Sequence, residues 1–235
     1  MVKKILLIIP AYNEADNITK LIEGLLCDYP QYDYVVINDG STDQTGIICK
    51  ENGYQVLNLP INLGIGGAVQ TGYLYARKYQ YDIAVQIDGD GQHDVAYVAD
   101  VIRPLIAGEA DVVIGSRFLK KEGFQSSVSR RMGISFLSNL IFLCTGKRIK
   151  DVTSGFRAVN RRFIEIYAED YPSDYPEPEA IITAVMNRGR VKEVPVVMKE
   201  RAAGTSSINL HKSVYYMIKV TLAILVKRIS YGIRR

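Results

Sequence analysis

The sequence predicts an α/β protein built on a mostly parallel sheet with helices on both of its faces. Short apolar runs alternate along the first two thirds of the chain with segments of helical periodicity, and several runs are too continuously apolar to have a face in water. This alternation is the order expected of a parallel sheet. No internal repeat or low-complexity linker divides the chain, and its 235 residues suit one large core.

Strands and helices can be assigned to this alternating region. The strands are expected at 4–9, 34–38, 55–57, 83–87 and 111–114. The intervening helices are expected at 16–27, 43–50, 68–79 and 95–107. Because ligands of such sheets bind beyond the carboxyl ends of the strands, the polar residues directly after each strand are the candidates for a functional site.

The charge of the chain is distributed unevenly. The formal net charge is +4, yet seven Lys or Arg and no acidic residue follow Glu200. A basic segment of this kind indicates an anionic partner. A membrane surface is favoured and no nucleic-acid partner is expected, because the chain has no recognisable nucleic-acid-binding motif. The three widely spaced cysteines do not have the spacing of metal ligands.

Two carboxylates follow the fourth predicted strand at a spacing of two residues. Asp88 and Asp90 are separated by Gly89, which leaves room for a ligand to approach. If the strand continues through them, both carboxylates lie on one side of it. Such a pair suits a hard divalent cation that keeps waters and shares its other positions with phosphate oxygens. His93 is expected to shape this turn rather than to act as a base.

Two further polar segments follow predicted strands. Asp39 follows the second strand, and its carboxylate can accept hydrogen bonds from a nucleoside base or ribose. Ser41 or Thr42 is expected to cap the next helix. Residues 62–68 form a glycine-rich start of a helix, where backbone N–H groups can face a phosphate, with Gly64 as the candidate residue. A tight loop with close packing is the alternative for that segment.

Five short motifs occur in a fixed order along the chain. They are 10–14 (Pro-Ala-Tyr-Asn-Glu), 38–43 (Asn-Asp-Gly-Ser-Thr-Asp), 88–93 (Asp-Gly-Asp-Gly-Gln-His), 115–118 (Gly-Ser-Arg-Phe) and 153–157 (Thr-Ser-Gly-Phe-Arg). In this order they resemble the family 2 glycosyltransferases. More narrowly, the chain resembles the polyprenyl-phosphate glycosyltransferases of the dolichol-phosphate-mannose synthase type. The resemblance implies a GT-A domain at residues 1–208 and a nucleotide-sugar donor.

The resemblance also implies roles for individual residues. Those implied to bind the nucleotide sugar are Pro10, Tyr12, Glu14, Asp39, Gly64, Asp88, Gly89, Asp90, Gln92 and Arg201. The implied metal ligands are Asp88 and Asp90, with Mg²⁺ or Mn²⁺ as the cofactor. The candidates for catalysis are Asp88, Asp90, Arg117, Arg131, Glu177 and Glu179, and those for the acceptor phosphate are Arg117, Arg130, Arg131 and Ser154.

Some of these assignments leave alternatives open. Arg130 competes with Arg131 as the second phosphate-binding arginine, and either Glu177 or Glu179 is the acidic residue near the sugar. Residues 201–207 resemble the family's Arg-x-x-Gly-x-Ser-Lys signature, but a serine stands where that signature has lysine. This replacement removes one cation from the implied phosphate clamp.

Two segments are expected to meet a lipid. Residues 132–145 are an uncharged run framed by paired cations, which predicts a core helix or, alternatively, a helix bordering a lipid groove. Residues 209–235 are predicted to form a basic amphipathic helix that lies on a membrane surface. The chain is therefore expected at the cytoplasmic face of the cell membrane as a peripheral protein. A small integral-membrane partner protein can supply an anchor, by analogy with related bacterial systems, and the chain can form a homo-oligomer.

The resemblance, together with the carboxylates that follow the strands, predicts a metal-dependent glycosyltransferase, and the resemblance implies inversion at the sugar. The enzyme is expected to transfer a hexose or N-acetylhexosamine from a nucleotide sugar, UDP-Glc or UDP-GlcNAc, to undecaprenyl phosphate, giving a lipid-linked sugar donor for a cell-surface polysaccharide. A phosphate monoester has a second pKa of about 6 and is already anionic at neutral pH, so its attack on the sugar needs no strong general base. The alternative acceptor is a sugar hydroxyl of a growing cell-wall or capsular polysaccharide, which requires a carboxylate as base.

A nucleotidyltransferase or an inactive scaffold of the same fold is disfavoured. The first usually has a glycine-rich, basic loop directly after the first strand, where this chain has residues 10–14. The second is expected to have lost Asp39, Asp88 or Asp90, all of which are present.

Overall fold

The structure, a computed structural model, describes residues 3–120, 122, 127–199 and 210–233. Strands and helices alternate through most of this range. In chain order the elements are β1 (Ile5–Ala11), α1 (Ile18–Asp28), β2 (Asp33–Asn38), α2 (Thr45–Glu51), β3 (Val56–Asn58), α3 (Gly64–Lys78), β4 (Ile83–Gln86), a 3₁₀ turn (Val95–Tyr97), α4 (Val98–Ile106), β5 (Val112–Ser116), α5 (Val128–Thr145), β6 (Arg157–Asn160), α6 (Arg161–Glu169), α7 (Pro176–Met186), β7 (Val191–Pro195) and α8 (Leu210–Ile233).

The strands of the described residues form one seven-stranded sheet in the order β3-β2-β1-β4-β6-β5-β7. β1 pairs in parallel with β2 and β4, β2 with β3, and β5 with β7. β6 runs antiparallel between β4 and β5. The predicted α/β fold with a mostly parallel sheet is therefore confirmed, and β6 and β7 are additions to the predicted strands.

Apolar side chains cover both faces of the sheet. Leu6 to Ile9 of β1 are fully buried, because α1, α2 and α4 pack on one face and α3 and α6 on the other. α3 lies so close to β1 that a Cβ at Gly72 would stand 2.2 Å from Cγ2 of Ile8. A strand covered on both faces has no polar alternation, as its sequence indicated.

A third apolar cluster joins α5, α7 and α8 beside β5. Ser127 caps the start of α5, and Gly146 ends it in the left-handed conformation. The uncharged run in α5 has a buried face, as a core helix requires, and also exposes Met132, Phe136 and Leu143. Among the residues with a described position, no helix has both the length and the apolar run needed to cross a membrane.

The predicted cap of α2 is wrong. α2 begins at Thr45, and Oδ1 of Asp43 accepts the Thr45 N–H at 2.9 Å. The Ser41 hydroxyl instead accepts the N–H of Asn13 at 3.0 Å, and the N–H of Thr42 donates to Oδ1 of Asn13 at 2.8 Å. Both candidate capping residues are therefore used to connect two turns, and the helix starts later than the sequence predicted.

Asp111 connects β5, β6 and β7 at the start of β5. Its Oδ2 accepts from the backbone N–H and Nε of Arg190 at 2.8 and 3.0 Å, and its Oδ1 accepts from Nδ2 of Asn160 at 2.8 Å. Hydrogen bonds from Arg190 lower the pKa of Asp111 to about 2. Because this pKa is lower than in the unfolded chain, the ionised carboxylate stabilises the fold above about pH 4, and that stabilisation is lost as the pH falls toward 2.

Replacing Asp111 with asparagine should lower the free energy of unfolding by about 2 kcal/mol at neutral pH. The difference from the native chain should shrink as the pH falls from about 4 toward 2, because the carboxylate of the unfolded chain then takes up a proton while that of the folded chain is still ionised. Urea unfolding over a pH series measures both effects. Glu109→Gln, which removes an exposed ion pair with Lys192, is the matched control and should change stability much less. A difference independent of pH would contradict the assignment.

Candidate active site

The turns that follow β1, β2 and β4 lie side by side at the carboxyl edge of the sheet. Asn13 in the first turn exchanges hydrogen bonds with Ser41 and Thr42 in the second. The third turn packs against the first, since a Cβ at Gly89 would lie 3.0 Å from the carbonyl oxygen of Pro10. The predicted convergence of the three turns is confirmed.

Asp88 and Asp90 lie in a turn rather than on a strand, because β4 ends at Gln86. The expectation that strand alternation places both carboxylates on one side therefore does not apply. Asp90 is buried, and its Oδ1 accepts from the N–H of Gln92 at 3.0 Å. The Asp88 side chain is 33% exposed. Asp88 is thus the more accessible of the two carboxylates.

His93 is buried behind this turn and orders its backbone. Its Nδ1 accepts from the N–H of Asp88 at 2.9 Å, and its ring stacks on Phe156 with centroids 5.1 Å apart. Burial lowers the pKa of His93 to about 4. The neutral ring therefore carries its proton on Nε2, which lies 3.6 Å from Oδ2 of Asp88. His93 shapes the turn, as expected.

The turn that carries Asp88 and Asp90 fits a hard divalent cation whose remaining ligands are supplied by water or by a bound substrate. Within the described ranges, no group of three or more His, Cys, Asp or Glu is placed to hold a metal ion. Asp88 and Asp90 supply two carboxylates, and because residue 155 is a glycine, no Cβ crowds the Asp88 carboxylate, which such an atom would approach to 3.1 Å. This donor set suits a cation shared with a diphosphate rather than an all-protein metal cage.

Arg117 is buried in a two-point ion pair with Asp151. Its Nε and Nη2 donate to the two carboxylate oxygens at 2.7 and 2.6 Å, and Nη2 also donates to Oγ1 of Thr153 at 3.0 Å. Burial opposes the charge, but the hydrogen bonds from Arg117 to Asp151, with the nearby charges of Asp88 and Glu177, raise its pKa. Arg117 is therefore a fixed cation close to the turn that carries Asp88 and Asp90, the carboxylate turn.

Arg157 of β6 is almost fully buried and donates to three backbone carbonyls. Its Nε contacts Ser154 at 2.8 Å, Nη2 contacts Val152 at 3.1 Å, and Nη1 contacts Glu177 at 2.6 Å. Burial raises the pKa of Glu177, and the positive charges of Arg157 and Arg117 oppose this rise. The structure thus brings Glu177 into the electrostatic environment of Asp88 and Arg117.

Glu179 belongs to a different environment. Its Oε1 lies 3.2 Å from Nζ of Lys227 on α8, and the same ammonium lies 3.2 Å from Asp170. Of the two glutamates that the sequence left open, Glu177 is therefore the one near the carboxylate turn, and Glu179 joins α7 to α8.

The candidate nucleotide-binding residues differ in their exposure. Tyr12 is 48% exposed at the rim, Pro10 is buried at the end of β1, and Glu14 is half-buried beside them. Gln92 is turned toward a neighbouring segment, because its Nε2 donates to the carbonyl oxygen of Lys199 at 3.3 Å. Tyr12 thus offers the most accessible surface among these four residues.

The glycine-rich start of α3 is closely packed. Asp39 is buried, and its Oδ1 accepts the N–H of the residue before Gly64 at 2.7 Å. The Gly64 N–H donates to Oδ1 of Asn62 at 3.1 Å, and the Gly66 N–H donates to the carbonyl oxygen of Ser173 at 3.1 Å. A Cβ at Gly66 would lie 2.3 Å from that oxygen. The geometry favours the packing alternative over a phosphate contact for this segment.

The candidates for the acceptor phosphate separate into buried and exposed residues. Ser154 is buried and its hydroxyl donates to the carbonyl oxygen of Gly115 at 2.6 Å, so the structure does not support it as a phosphate ligand. Arg130 and Arg131 are both exposed on α5. Arg131, but not Arg130, lines an open cavity of about 370 Å³, whose other lining residues include Phe118, Ile134, Arg148 and Lys150.

Arg201 and the rest of the 201–207 signature lie outside the described residues and stay predictions. Three buried polar residues, Gln86, Asp151 and Arg157, had no individual role predicted from the sequence. A polar residue inside the apolar run of β4 could have indicated Gln86. Arg157 is the last residue of the 153–157 motif and Asp151 lies two residues before that motif, so the two charges close to it were the available indication.

Comparison with known proteins identifies relatives of this chain. Residues 6–167 match the family model described as Glycosyl transferase family 2. The UDP-N-acetylglucosamine–dolichyl-phosphate N-acetylglucosaminyltransferase of Methanococcus voltae is 34% identical over 215 residues, covering 83% of this chain and 85% of that protein. The undecaprenyl-phosphate mannosyltransferase of Micrococcus luteus is 28% identical, covering 88% of each chain.

A solved structure supplies the fold comparison. Glucosyl-3-phosphoglycerate synthase from Mycobacterium tuberculosis, in complex with Mn²⁺, UDP-glucose and phosphoglyceric acid, has a TM-score of 0.73 and 19% identity, covering 96% of this chain and 80% of that chain. At this identity the likeness shows the fold alone. The family match over most of the chain and the 34% identity to the Methanococcus voltae enzyme carry the assignment. The chain belongs to glycosyl transferase family 2 and is a glycosyltransferase with the GT-A fold.

Proposed function

We propose that this enzyme transfers a hexose or N-acetylhexosamine from UDP-Glc or UDP-GlcNAc to undecaprenyl phosphate, with inversion at the sugar. Two neighbouring features carry the proposal. The turn with Asp88 and Asp90 lies close to Arg117, and the next residue, Phe118, lines a partly apolar cavity that is also lined by cations. A diphosphate–metal pair suits the first, and a lipid phosphate suits the second. Two relatives are named for dolichyl phosphate and undecaprenyl phosphate, which supports this choice of acceptor.

The donor nucleotide is proposed to lie across the turns after β1 and β2. The exposed ring of Tyr12 offers a surface for the base, and Oδ2 of Asp39 is the proposed acceptor for a base or ribose hydrogen bond. Pro10 and Glu14 line the same edge. UDP is proposed as the nucleotide because the 34% identical Methanococcus voltae relative is named for UDP-N-acetylglucosamine.

Asp88 and Asp90 are the proposed ligands of Mg²⁺ or Mn²⁺. When bound, the cation neutralises charge that develops on the departing diphosphate. The chain holds the two carboxylates for this purpose: the His93 ring fixes the backbone at Asp88, and the Gln92 N–H fixes Oδ1 of Asp90. The backbone of Asp88 and the carboxylate of Asp90 are thereby preorganised before the donor binds.

The proposed transfer is a direct displacement. An ionised oxygen of the acceptor phosphate forms a bond to the anomeric carbon while the bond from that carbon to the diphosphate oxygen breaks, so no proton must be removed. Arg117 and Arg131 are proposed to orient the acceptor phosphate, and Glu177 is proposed to contact the sugar. Catalysis is then mainly positioning and electrostatic stabilisation.

Transfer to a sugar hydroxyl is the second candidate, and one observation favours it. Burial raises the pKa of Glu177, which is the direction expected of a carboxylate tuned for proton transfer. In that reaction Glu177 would take the proton of the attacking hydroxyl. The two candidates therefore differ in the acceptor and in their need for Glu177 as a base.

The helices α5 and α8 are proposed to lie on the membrane at its cytoplasmic face. They run in parallel, with Gly133 beside Met217 and the Cys144 carbonyl accepting from Nε of Arg228 at 2.9 Å. No acidic residue occurs between residues 123 and 150 or after Glu200. α8 exposes an apolar stripe at helical spacing, formed by Tyr215, Ile218, Leu222, Val226 and Ile229.

Release of nucleotide diphosphate tests the proposed function. The full chain is incubated with Mg²⁺ or Mn²⁺ and a panel of UDP- and GDP-sugars, with and without undecaprenyl phosphate in liposomes. Release from a UDP-sugar that depends on the lipid supports the proposal. Release that depends on added oligosaccharide supports the second candidate instead, and absence of release under every condition contradicts the proposal for the chain acting alone.

Asp90→Asn should lower kcat at least about 100-fold, because one metal-binding carboxylate loses its charge. The fold should persist, since an asparagine side-chain oxygen can still accept the Gln92 N–H. Steady-state kinetics and thermal unfolding measure the two effects. Asp100→Asn, an exposed helix position paired with Arg103, is the matched control. Near-native turnover of Asp90→Asn would exclude the metal assignment.

Glu177→Gln should lower kcat about 10- to 100-fold, because the charge-assisted contact to the sugar is weakened. Glu179→Gln should instead weaken the attachment of α8 through Lys227 and affect kcat less. Kinetics of the two variants with the same donor and lipid distinguish these roles. A larger loss for Glu179→Gln would reverse the assignment.

Arg131→Ala should raise KM for undecaprenyl phosphate about 10-fold, with KM for the donor little changed, because a cation lining the acceptor cavity is lost. Lys147→Ala removes a cation at the other end of α5 and controls for general attraction to an anionic membrane. Equal effects of the two variants would argue against a specific phosphate contact at Arg131.

A further inference from the structure

Gln86, the last residue of β4, is fully buried at 0% exposure. Neither its amide nitrogen nor its amide oxygen has a hydrogen-bond partner among the residues that the structure describes. An unsatisfied buried amide is destabilising, and proteins provide partners for nearly all such groups. A small ligand outside the polypeptide is the expected partner.

A notch at Gly155 connects this amide to the carboxylate of Asp88. If residue 155 carried a Cβ, that atom would lie 3.2 Å from Nε2 of Gln86 and 3.1 and 3.3 Å from the two carboxylate oxygens of Asp88. Such contacts would be tight for a carbon atom, so a glycine at residue 155 is what allows the amide and the carboxylate to lie this close to the same backbone position. One donor group and one acceptor group therefore face the same small polar space.

A water molecule matches the chemistry of this notch. Its oxygen can accept from the Gln86 amide while one of its hydrogens is donated to Asp88, which satisfies a donor and an acceptor together. Buried waters commonly bond to polar groups that the chain leaves unsatisfied. The negative charge of Asp88 disfavours an anion at this position, and the amide N–H disfavours a cation.

We propose that Gln86 is a positioning residue for Asp88 and acts through one water molecule held in the Gly155 notch. His93 fixes the backbone at Asp88, and its Nε2 lies 3.6 Å from Oδ2 of the Asp88 carboxylate. The bridging water adds a further restriction on rotation of the carboxylate and holds it ready for the cation. The inference rests on the metal-binding role of Asp88 within the proposed function. Removing such a support of a metal ligand typically weakens metal binding about 10- to 100-fold.

Mn²⁺ affinity in the presence of UDP, measured by calorimetry without any acceptor, tests the inference. Gln86→Met keeps the length of the side chain and removes both polar atoms. The expected result is a Kd for Mn²⁺ at least about 10-fold higher. The melting temperature of the metal-free protein should change little, since the buried amide and its water are replaced together by an apolar side chain of the same length. Native Mn²⁺ affinity, with or without a lower melting temperature, would overturn the proposal.

Gly155→Ala fills the notch and provides the second variant. It should also weaken Mn²⁺ binding, and the Gln86→Met/Gly155→Ala double variant should lose no more than Gly155→Ala alone, because both changes remove the same water. Additive losses would overturn the water bridge. If Gln86→Met does not fold, Gly155→Ala decides the question, and native affinity in that variant overturns the proposal.

Two further variants separate this inference from its premises. Tyr73→Phe removes another buried hydroxyl that lacks a partner among the described residues, and it should leave Mn²⁺ affinity unchanged. A comparable loss in Tyr73→Phe would show a general packing effect and overturn the specific role of Gln86. Native Mn²⁺ affinity in Asp88→Asn would overturn the metal assignment of the proposed function itself, whatever Gln86→Met does.

Discussion

The buried guanidinium of Arg157 is the interaction on which the arrangement of the site depends. It donates to backbone carbonyls in two segments that are far apart in sequence, including those of Ser154 and Glu177. Loss of this side chain would leave several buried carbonyls unsatisfied at once. Because β6 lies between β4 and β5, the same interaction keeps the Ser154 turn next to Asp88 and keeps Glu177 near Arg117. The antiparallel strand is therefore a structural requirement of the site.

The site holds its charges in two physically different ways. Arg117 is fixed by Asp151, and such a cation needs little reorganisation when negative charge develops nearby. Arg131 is exposed on α5 and lines an open cavity, which is the proposed place of the acceptor phosphate. The first arrangement suits a reacting centre, and the second suits capture of an acceptor. The proposed mechanism uses both.

Local chemistry explains which features the sequence could predict. The buried run of β1 and the polar turns after β1, β2 and β4 follow from patterns within a few residues, and these elements were predicted. β6 was not predicted, because it is four residues long and begins with Arg157 and ends with Asn160. The burial of Ser154 and the attachment of Glu179 to Lys227 depend on segments distant in sequence. Residue spacing carries no information about such contacts.

The product of the reaction distinguishes a lipid phosphate acceptor from a sugar hydroxyl acceptor. The full chain is incubated with UDP-sugar labelled in the sugar, a divalent cation and undecaprenyl phosphate, and the mixture is partitioned between water and organic solvent. Transfer to undecaprenyl phosphate predicts labelled lipid in the organic phase, with the mass of the polyprenyl phosphate plus one sugar. Label that enters only water-soluble oligosaccharide, with none in the lipid, would contradict it.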